Sequence, residues 1–152
     1  MSKIAARLVE LGIELPAVFP PAGNYTGCSR TGNLLYVGGH GPINGADIVT
    51  GKVGRDVDLA EARRAARMTA LSILATMREE LGDLDRVIRI VKVFGMVNVA
   101  PGFNQTPAVI DGCSDLLVEV FGDAGRHTRS AVGLAELPFD IAVEIELIAE
   151  VE

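Results

Sequence analysis

The chain has 152 residues, 49% of them hydrophobic, and a formal net charge of −6 from 14 basic and 20 acidic residues. This length suits a single domain with its own core, and the acidic balance argues against a nucleic-acid surface, where Lys and Arg neutralise phosphates. The apolar runs are too short to cross a membrane, and the charged N-terminus does not fit a signal peptide. We therefore expect one cytoplasmic domain over residues 1–152, with no nucleic-acid partner.

The first half of the chain predicts a helix, a hairpin and a second, longer helix. Residues 2–13 carry apolar side chains at helical spacing, and a proline-rich lead-in loop continues to residue 23. Two short apolar runs flank residues 31–33, where Gly and Asn tolerate the positive φ of a tight turn. Asp58 is a good N-cap for a long amphipathic helix that ends at Gly82.

The second half predicts a strand, a helix and a closing hairpin. Residues 85–99 alternate as a long strand, with a bulge expected near Gly95. The pattern of residues 106–122 predicts a helix, and that of residues 128–151 predicts two strands joined by a turn. This order predicts an α+β domain with helices on one face of a sheet. The strands are too apolar to face water on the other side, so we expect another subunit to pack against that face.

The predicted closing hairpin places charged side chains together. If the two strands pair directly, Arg129 shares a face with Glu144 and Glu146, beside the small residues Ala131 and Gly133. An arginine fork next to carboxylates and a small-residue floor could bind a small carboxylate ligand and a water molecule. The alternative is a surface salt bridge with little energetic consequence.

Three stretches resemble a known family. NYTGC (24–28), GNLLYVGGHGPI (32–43) and TRSAVGLAELPFDIAVEIELIAEV (128–151) are similar to the RidA/YjgF family, also labelled endoribonuclease L-PSP. Their order and spacing fit the family over nearly the whole chain. The sequence resembles a divergent branch with longer chains.

The resemblance implies a chorismate-mutase-like fold of the bacillus type. It has a mixed sheet with two helices packed on one face, and the sheets form a central barrel in a homotrimer with a ligand cleft at each subunit interface. The better-understood members are imine deaminases, which hydrolyse reactive 2-imino acids to 2-keto acids and ammonia. The resemblance implies no metal and no organic cofactor.

The resemblance also assigns roles to individual residues. Arg129 matches the arginine that grips the substrate carboxylate, and Glu144 matches the carboxylate that orients the attacking water. Tyr25 matches a tyrosine of the cleft. Ala131 stands in the cleft position where many deaminases have a cysteine, so this chain departs from that part of the family pattern.

Further substrate-binding candidates come from the glycine-rich turn and the third helix. Gly39 and His40 belong to GGHGP, where His40 replaces the usual glutamine, and the alternative is a turn histidine bonded to backbone. Phe103 could form a cleft lip, or simply belong to the loop that enters the helix. Ser114 falls roughly where the family has an asparagine, and His127 could tune an anion site or be exposed.

Two other functional classes remain open. A non-catalytic trimer could bind or sense a small carboxylate without converting it, which the alanine at residue 131 favours. A ribonuclease is less favoured, because the chain is acidic and has no basic groove. Cys28 and Cys113 belong to no metal-binding pattern, so we interpret them as reduced core thiols.

Overall fold

The computed structural model describes all residues 1–152 and contains three α-helices and a five-stranded mixed sheet. The helices are α1 (Lys3–Glu10), α2 (Leu59–Leu81) and α3 (Thr106–Phe121). The strands are β1 (Cys28–Thr31), β2 (Leu34–His40), β3 (Ile43–Asn44), β4 (Asp47–Ile48), β5 (Val87–Asn98), β6 (Thr128–Leu134) and β7 (Val143–Val151), of which β3 and β4 form a separate small ribbon. No helix in the structure is both long and apolar enough to span a bilayer.

The predicted helices and the first hairpin are confirmed. The Asp58 side chain accepts a hydrogen bond from the Glu61 backbone N–H at 2.8 Å, so α2 begins with the expected cap. Gly82 follows α2 with a φ of 77°, and Gly32 turns the β1–β2 hairpin with a φ of 58°. These local features formed as predicted because each depends on residues only a few positions apart.

The predicted closing hairpin is wrong, because β5 lies between β6 and β7. The sheet order is β1-β2-β7-β5-β6, with β6 parallel to β5 and β7 antiparallel to it. The segment β5-α3-β6 is a strand–helix–strand crossover, and such a unit returns its second strand beside the first in parallel. The chain then passes over the end of β5 through residues 135–142, and β7 pairs on the other side.

The bulge expected near Gly95 is also wrong. The register of β5 against β7 shifts between Val87 and Arg89 and again between Ile90 and Lys92, whereas Gly95 pairs regularly. The glycine serves packing instead, because a Cβ atom there would lie only 2.5 Å from Ile110 Cγ1 of α3. Residue 95 therefore lets the helix approach the sheet closely.

The two faces of the sheet differ. α2 and α3 cover one face, and they contribute most of the helical residues to a single core cluster of 33 buried residues. The other face carries no helix and holds a mixture of apolar and acidic side chains: Tyr36, Phe94, Met96, Val132, Glu144, Glu146 and Ile148. Tyr36 is 46% exposed and Val132 is 38% exposed, so this open face leaves apolar surface uncovered in the single chain.

Candidate functional site

Arg129 and Glu144 lie on opposite faces of the sheet, so the predicted shared face is wrong. Arg129 is the parallel partner of Val93 in β5, and Val93 is the antiparallel partner of Leu147 in β7. Paired residues point to the same side of a sheet, and Val93 and Leu147 are buried beneath the helices. Glu144 is three residues from Leu147 along β7, so its side chain points to the open face.

Arg129 is held against α3 by hydrogen bonds. Its Nη1 donates to Asp111 Oδ1 at 2.8 Å and to Ser114 Oγ at 3.1 Å, and its Nη2 donates to the Pro107 carbonyl at 3.4 Å. The side chain is 22% exposed, and its Nε has no partner in the chain. The guanidinium is therefore fixed in place while one of its edges remains open to a ligand.

His127 continues this network. Its Nδ1 lies 2.7 Å from the Gly125 carbonyl, and since a carbonyl only accepts hydrogen bonds, Nδ1 carries the proton. Nε2 then accepts from the Ser114 hydroxyl at 2.9 Å. Burial lowers the pKa of His127, and the neighbouring Arg129 lowers it further, so the ring is neutral near pH 7.

Glu144 occupies a half-buried position on the open face, beside Gly39. A methyl group on Gly39 would overlap the Glu144 carboxylate, so the glycine makes room for it. Burial raises the pKa of Glu144, and the like charge of Glu146 raises it further. The structure thus brings together Gly39 and Glu144, two of the predicted site residues, at a position where the pKa of the carboxyl group is raised.

His40 points to the helix side, away from Glu144. Its Nδ1–H donates to the Gly38 carbonyl at 2.7 Å, and its Nε2 accepts from the Thr76 hydroxyl of α2 at 2.8 Å. Burial lowers the pKa of His40. These contacts match the turn-histidine alternative, since both ring nitrogens are used within the chain.

Tyr25 stands at the other edge of the molecule. The residue is 61% exposed, and its hydroxyl accepts a hydrogen bond from the Ala22 N–H at 3.1 Å. It borders a cavity of about 280 Å³ lined also by Phe19, Cys28, Thr76, Glu79 and Glu80, among other residues. This cavity lies between the lead-in loop, β1 and the C-terminal end of α2.

Phe103 and Ala131 serve packing in the single chain. Phe103 covers Gly54, where an added Cβ would lie 3.0 Å from its ring, so Phe103 belongs to the packed loop that leads into α3. The Ala131 carbonyl accepts a hydrogen bond from Thr106 Oγ1 at 3.0 Å, which ties β6 to the start of α3. Neither side chain touches Glu144 or Tyr25 through the contacts described above.

The two cysteines are both free. Cys113 lies in the core on α3, and burial raises the pKa of its thiol to about 12. Cys28 is half-buried on β1, and burial with the charges of Glu80 and Glu79 raises its pKa. Both therefore remain protonated thiols near pH 7.

The predicted site residues fall into separate groups within one chain. Arg129 lies on the edge strand β6, while Tyr25 precedes β1 at the opposite edge, with β2, β7 and β5 between them. Neighbouring strands are about 4.8 Å apart, so these two edges are separated by roughly 19 Å. The sequence did not identify Asp111 and Thr76, although residues 107, 111 and 114 share a helical face toward β6.

Comparisons with known proteins identify the class of this fold. The family model described as "YjgF/chorismate mutase-like, putative endoribonuclease" matches residues 5–151. The protein Atu1372 of unknown function from Agrobacterium tumefaciens is 46% identical in sequence to this chain. Its crystal structure superimposes with a TM-score of 0.91, and the match covers 98% of this chain and 92% of Atu1372. The mixed sheet and three helices are thus those of the chorismate-mutase-like α+β class. The chain belongs to the RidA/YjgF family.

Two curated relatives are similar over most of their length. Protein TCP17 of Trypanosoma cruzi is 44% identical over 150 residues, which covers 97% of this chain and 94% of that protein. A 2-iminobutanoate/2-iminopropanoate deaminase of Dermatophagoides farinae is 28% identical over 142 residues, 92% of this chain and 95% of the deaminase. The family therefore includes a protein named for imine hydrolysis.

Proposed function

We propose that this protein hydrolyses small 2-imino acids to 2-keto acids and ammonia, with Arg129 holding the carboxylate and Glu144 positioning the water. The observation that carries the proposal is the fixed guanidinium of Arg129, which keeps an unbonded Nε beside a polar network. The deaminase relative supports the same chemistry. No metal or organic cofactor takes part in the proposed reaction.

The reaction requires more than one chain in the site. Arg129 and Glu144 point to opposite faces of the sheet, and Tyr25 lies at the far edge. In a ring of copies, the β6 edge of one chain would approach both the β1 edge and the open face of the next. Arg129 of one chain and Tyr25 and Glu144 of its neighbour would then share one cleft, and head-to-tail contacts of this kind can close into rings. We propose a homotrimer with the open faces turned into a central barrel, which would also cover Tyr36 and Val132.

The proposed chemistry needs binding, a water and one proton acceptor. Water adds to the carbon of the protonated imine while Glu144 accepts a proton from it, which forms a carbinolamine. The C–N bond then breaks as the C=O bond forms. The leaving nitrogen takes up the hydroxyl proton and the proton held by Glu144, so it departs as ammonium and Glu144 returns to a carboxylate. A carboxylate whose pKa is raised by burial is a better proton acceptor for this step than an ordinary surface glutamate.

A binding or sensing trimer is the second candidate function. It is favoured by one observation: within a chain, Arg129 already pairs with Asp111, and Glu144 is not beside it. A site that only binds a carboxylate would need Arg129 but not Glu144. The net charge of −6 gives a ribonuclease no support.

The test is imine hydrolysis by the full-length protein. 2-Iminobutyrate is generated in situ by an amino-acid oxidase, and residual imine is trapped with semicarbazide. We expect acceleration by the wild type, a loss of about 100-fold or more in Arg129→Ala, and a similar loss in Glu144→Gln. The matched control is Arg126→Ala, which removes an exposed arginine that pairs only with Asp123.

Each result has a definite meaning. Wild-type rates equal to buffer for several imino acids would exclude the deaminase. Arg129-dependent binding without turnover would instead support the sensing trimer. Light scattering that gives the mass of a single chain would contradict the shared cleft, because one chain does not join the required groups.

A further inference from the structure

We propose that Asp111 recognises the cationic nitrogen of the ligand, so that the site selects 2-iminium and 2-amino acids over 2-keto and 2-hydroxy acids. The inference rests on the proposed function in one respect: Arg129 must bind the ligand carboxylate. It adds a residue and a selectivity that the carboxylate grip by itself does not supply.

The Asp111–Arg129 pair leaves one hydrogen-bonding group unused on each side chain. Asp111 Oδ1 accepts from Arg129 Nη1 at 2.8 Å, while Oδ2 has no hydrogen-bond partner in the chain. Arg129 Nε likewise has no partner, and the Asp111 side chain is 42% exposed. A free acceptor and a free donor on two hydrogen-bonded side chains complement a molecule that carries a carboxylate next to a charged nitrogen.

The charge of the pair decides against a simple anion. Arg129 is already neutralised by Asp111, so a keto acid or hydroxy acid approaches a pair with no net charge and meets a free carboxylate oxygen. A zwitterion instead places its carboxylate on Arg129 and its nitrogen on Asp111 Oδ2. Charge-assisted hydrogen bonds of this kind are about twice as strong as neutral ones, so the difference favours the zwitterion.

Asp111 differs from an ordinary surface partner on the same helix. One turn further along α3, Asp115 pairs with Arg63 at 2.6 Å, but both side chains are about half exposed, at 56% and 49%. Arg129 is 22% exposed and is held by Ser114 and Pro107 as well as Asp111. Water therefore surrounds both side chains of the Asp115–Arg63 pair, whereas Arg129 in the Asp111 pair is fixed in place and partly shielded from water.

The selectivity fits the direction of the reaction. Hydrolysis replaces the protonated C=N group with a neutral C=O group, and the nitrogen leaves as ammonium. The carbonyl oxygen of the product then faces the Asp111 carboxylate without a proton to share. Asp111 is therefore expected to bind the substrate and to weaken the binding of the product.

The experiment compares two stable probes of the same shape on the full-length protein by calorimetry. 2-Aminobutyrate carries an ammonium group where 2-hydroxybutyrate carries a hydroxyl. We expect the wild type to bind 2-aminobutyrate more tightly. In Asp111→Asn, whose amide oxygen can still accept from Arg129, we expect the affinity for 2-aminobutyrate to fall about tenfold or more, while that for 2-hydroxybutyrate is unchanged or rises.

The controls separate this inference from the proposed function. Asp115→Asn removes the same charge from α3 without touching Arg129, so it should change neither affinity. If Asp111→Asn weakens both probes equally, Asp111 only positions Arg129 and the inference fails while the carboxylate grip stands. If Arg129→Ala leaves both affinities intact, or the wild type binds neither probe, the ligand-binding role of Arg129 fails and the inference fails with it.

Discussion

Two histidine contacts in this molecule are nearly the same in geometry but differ in what lies beyond them. His40 at the end of β2 and His127 before β6 each donate from Nδ1 to the carbonyl two residues earlier, at 2.7 Å in both cases. Each accepts at Nε2 from a helix hydroxyl, Thr76 on α2 at 2.8 Å and Ser114 on α3 at 2.9 Å. Both rings fasten a strand to a helix.

The difference lies in the hydroxyl partner. Thr76 is 6% exposed, and its hydrogen bond to His40 has no charged neighbour in the network. Ser114 is half-buried and also accepts from Arg129, which in turn bonds Asp111. The same histidine contact thus joins a strand to a buried threonine on one side of the molecule, and on the other side it supports a charged, accessible group.

The largest effect on the free energy of unfolding is expected from loss of the hydrogen bond between His40 and Thr76. Thr76→Val keeps the shape of the side chain but leaves His40 Nε2 without a donor, which should lower the free energy of unfolding by about 1–3 kcal/mol. Urea unfolding measures it. Thr69→Val on the same helix is the control, since Thr69 bonds only the Ala65 carbonyl within α2 and should cost less. Equal losses in the two variants would contradict a special role for the His40 contact.

Ser114→Ala should have a smaller effect on stability and a clearer effect on binding. Because Ser114 is half-buried, water can replace part of the lost bonds, and we expect a cost of about 0.5–1.5 kcal/mol. Arg129 keeps Asp111 but loses one anchor, so the affinity for a carboxylate probe should fall several-fold. If Ser114→Ala loses stability without any change in affinity, the His127–Ser114 contact has only a structural role, like the His40–Thr76 contact.

The pH dependence of the unfolding free energy should depend on both histidine rings. Burial lowers the pKa of both His40 and His127, so the unfolded chain binds protons more readily than the folded one. Their contribution is fully present above about pH 6.5, the unfolded value, and is lost as the pH falls through the lower folded values. His40→Gln and His127→Gln should each flatten the fall in unfolding free energy between pH 7.5 and 5. An unchanged slope in the double variant would rule out both rings as its source.

Thiol labelling compares the regions around the two histidine contacts without any substitution in the protein. Cys28 is half-buried and lines the same cavity as Thr76, the partner of His40. Cys113 is next to Ser114 in sequence but points into the core. We expect a maleimide to label Cys28 slowly in the native protein and Cys113 only in urea, as read by mass spectrometry of peptides. Native labelling of Cys113 at the Cys28 rate would mean that α3 opens far more readily than its burial implies.

Features that depend on near neighbours could be predicted from the order of residues alone. The cap at Asp58, the turn at Gly32 and the periodicity of α2 and α3 each involve residues within one or two helical turns, so their chemistry is visible in the order of residues. The three motif stretches also determined the family, and with it the expectation for Arg129 and Glu144. The polar face of α3 was readable in principle from the spacing of residues 107, 111 and 114.

Which of these side chains come into contact depends on the order of the strands in the folded sheet. Inserting β5 between β6 and β7 changed the partners of Arg129 and put it on the opposite face from Glu144, because side chains alternate along every strand. It also paired Arg129 with Asp111 and placed the bulges of β5 away from Gly95. Strand order depends on a crossover helix and on packing between distant residues, and no local pattern in the chain encodes that choice.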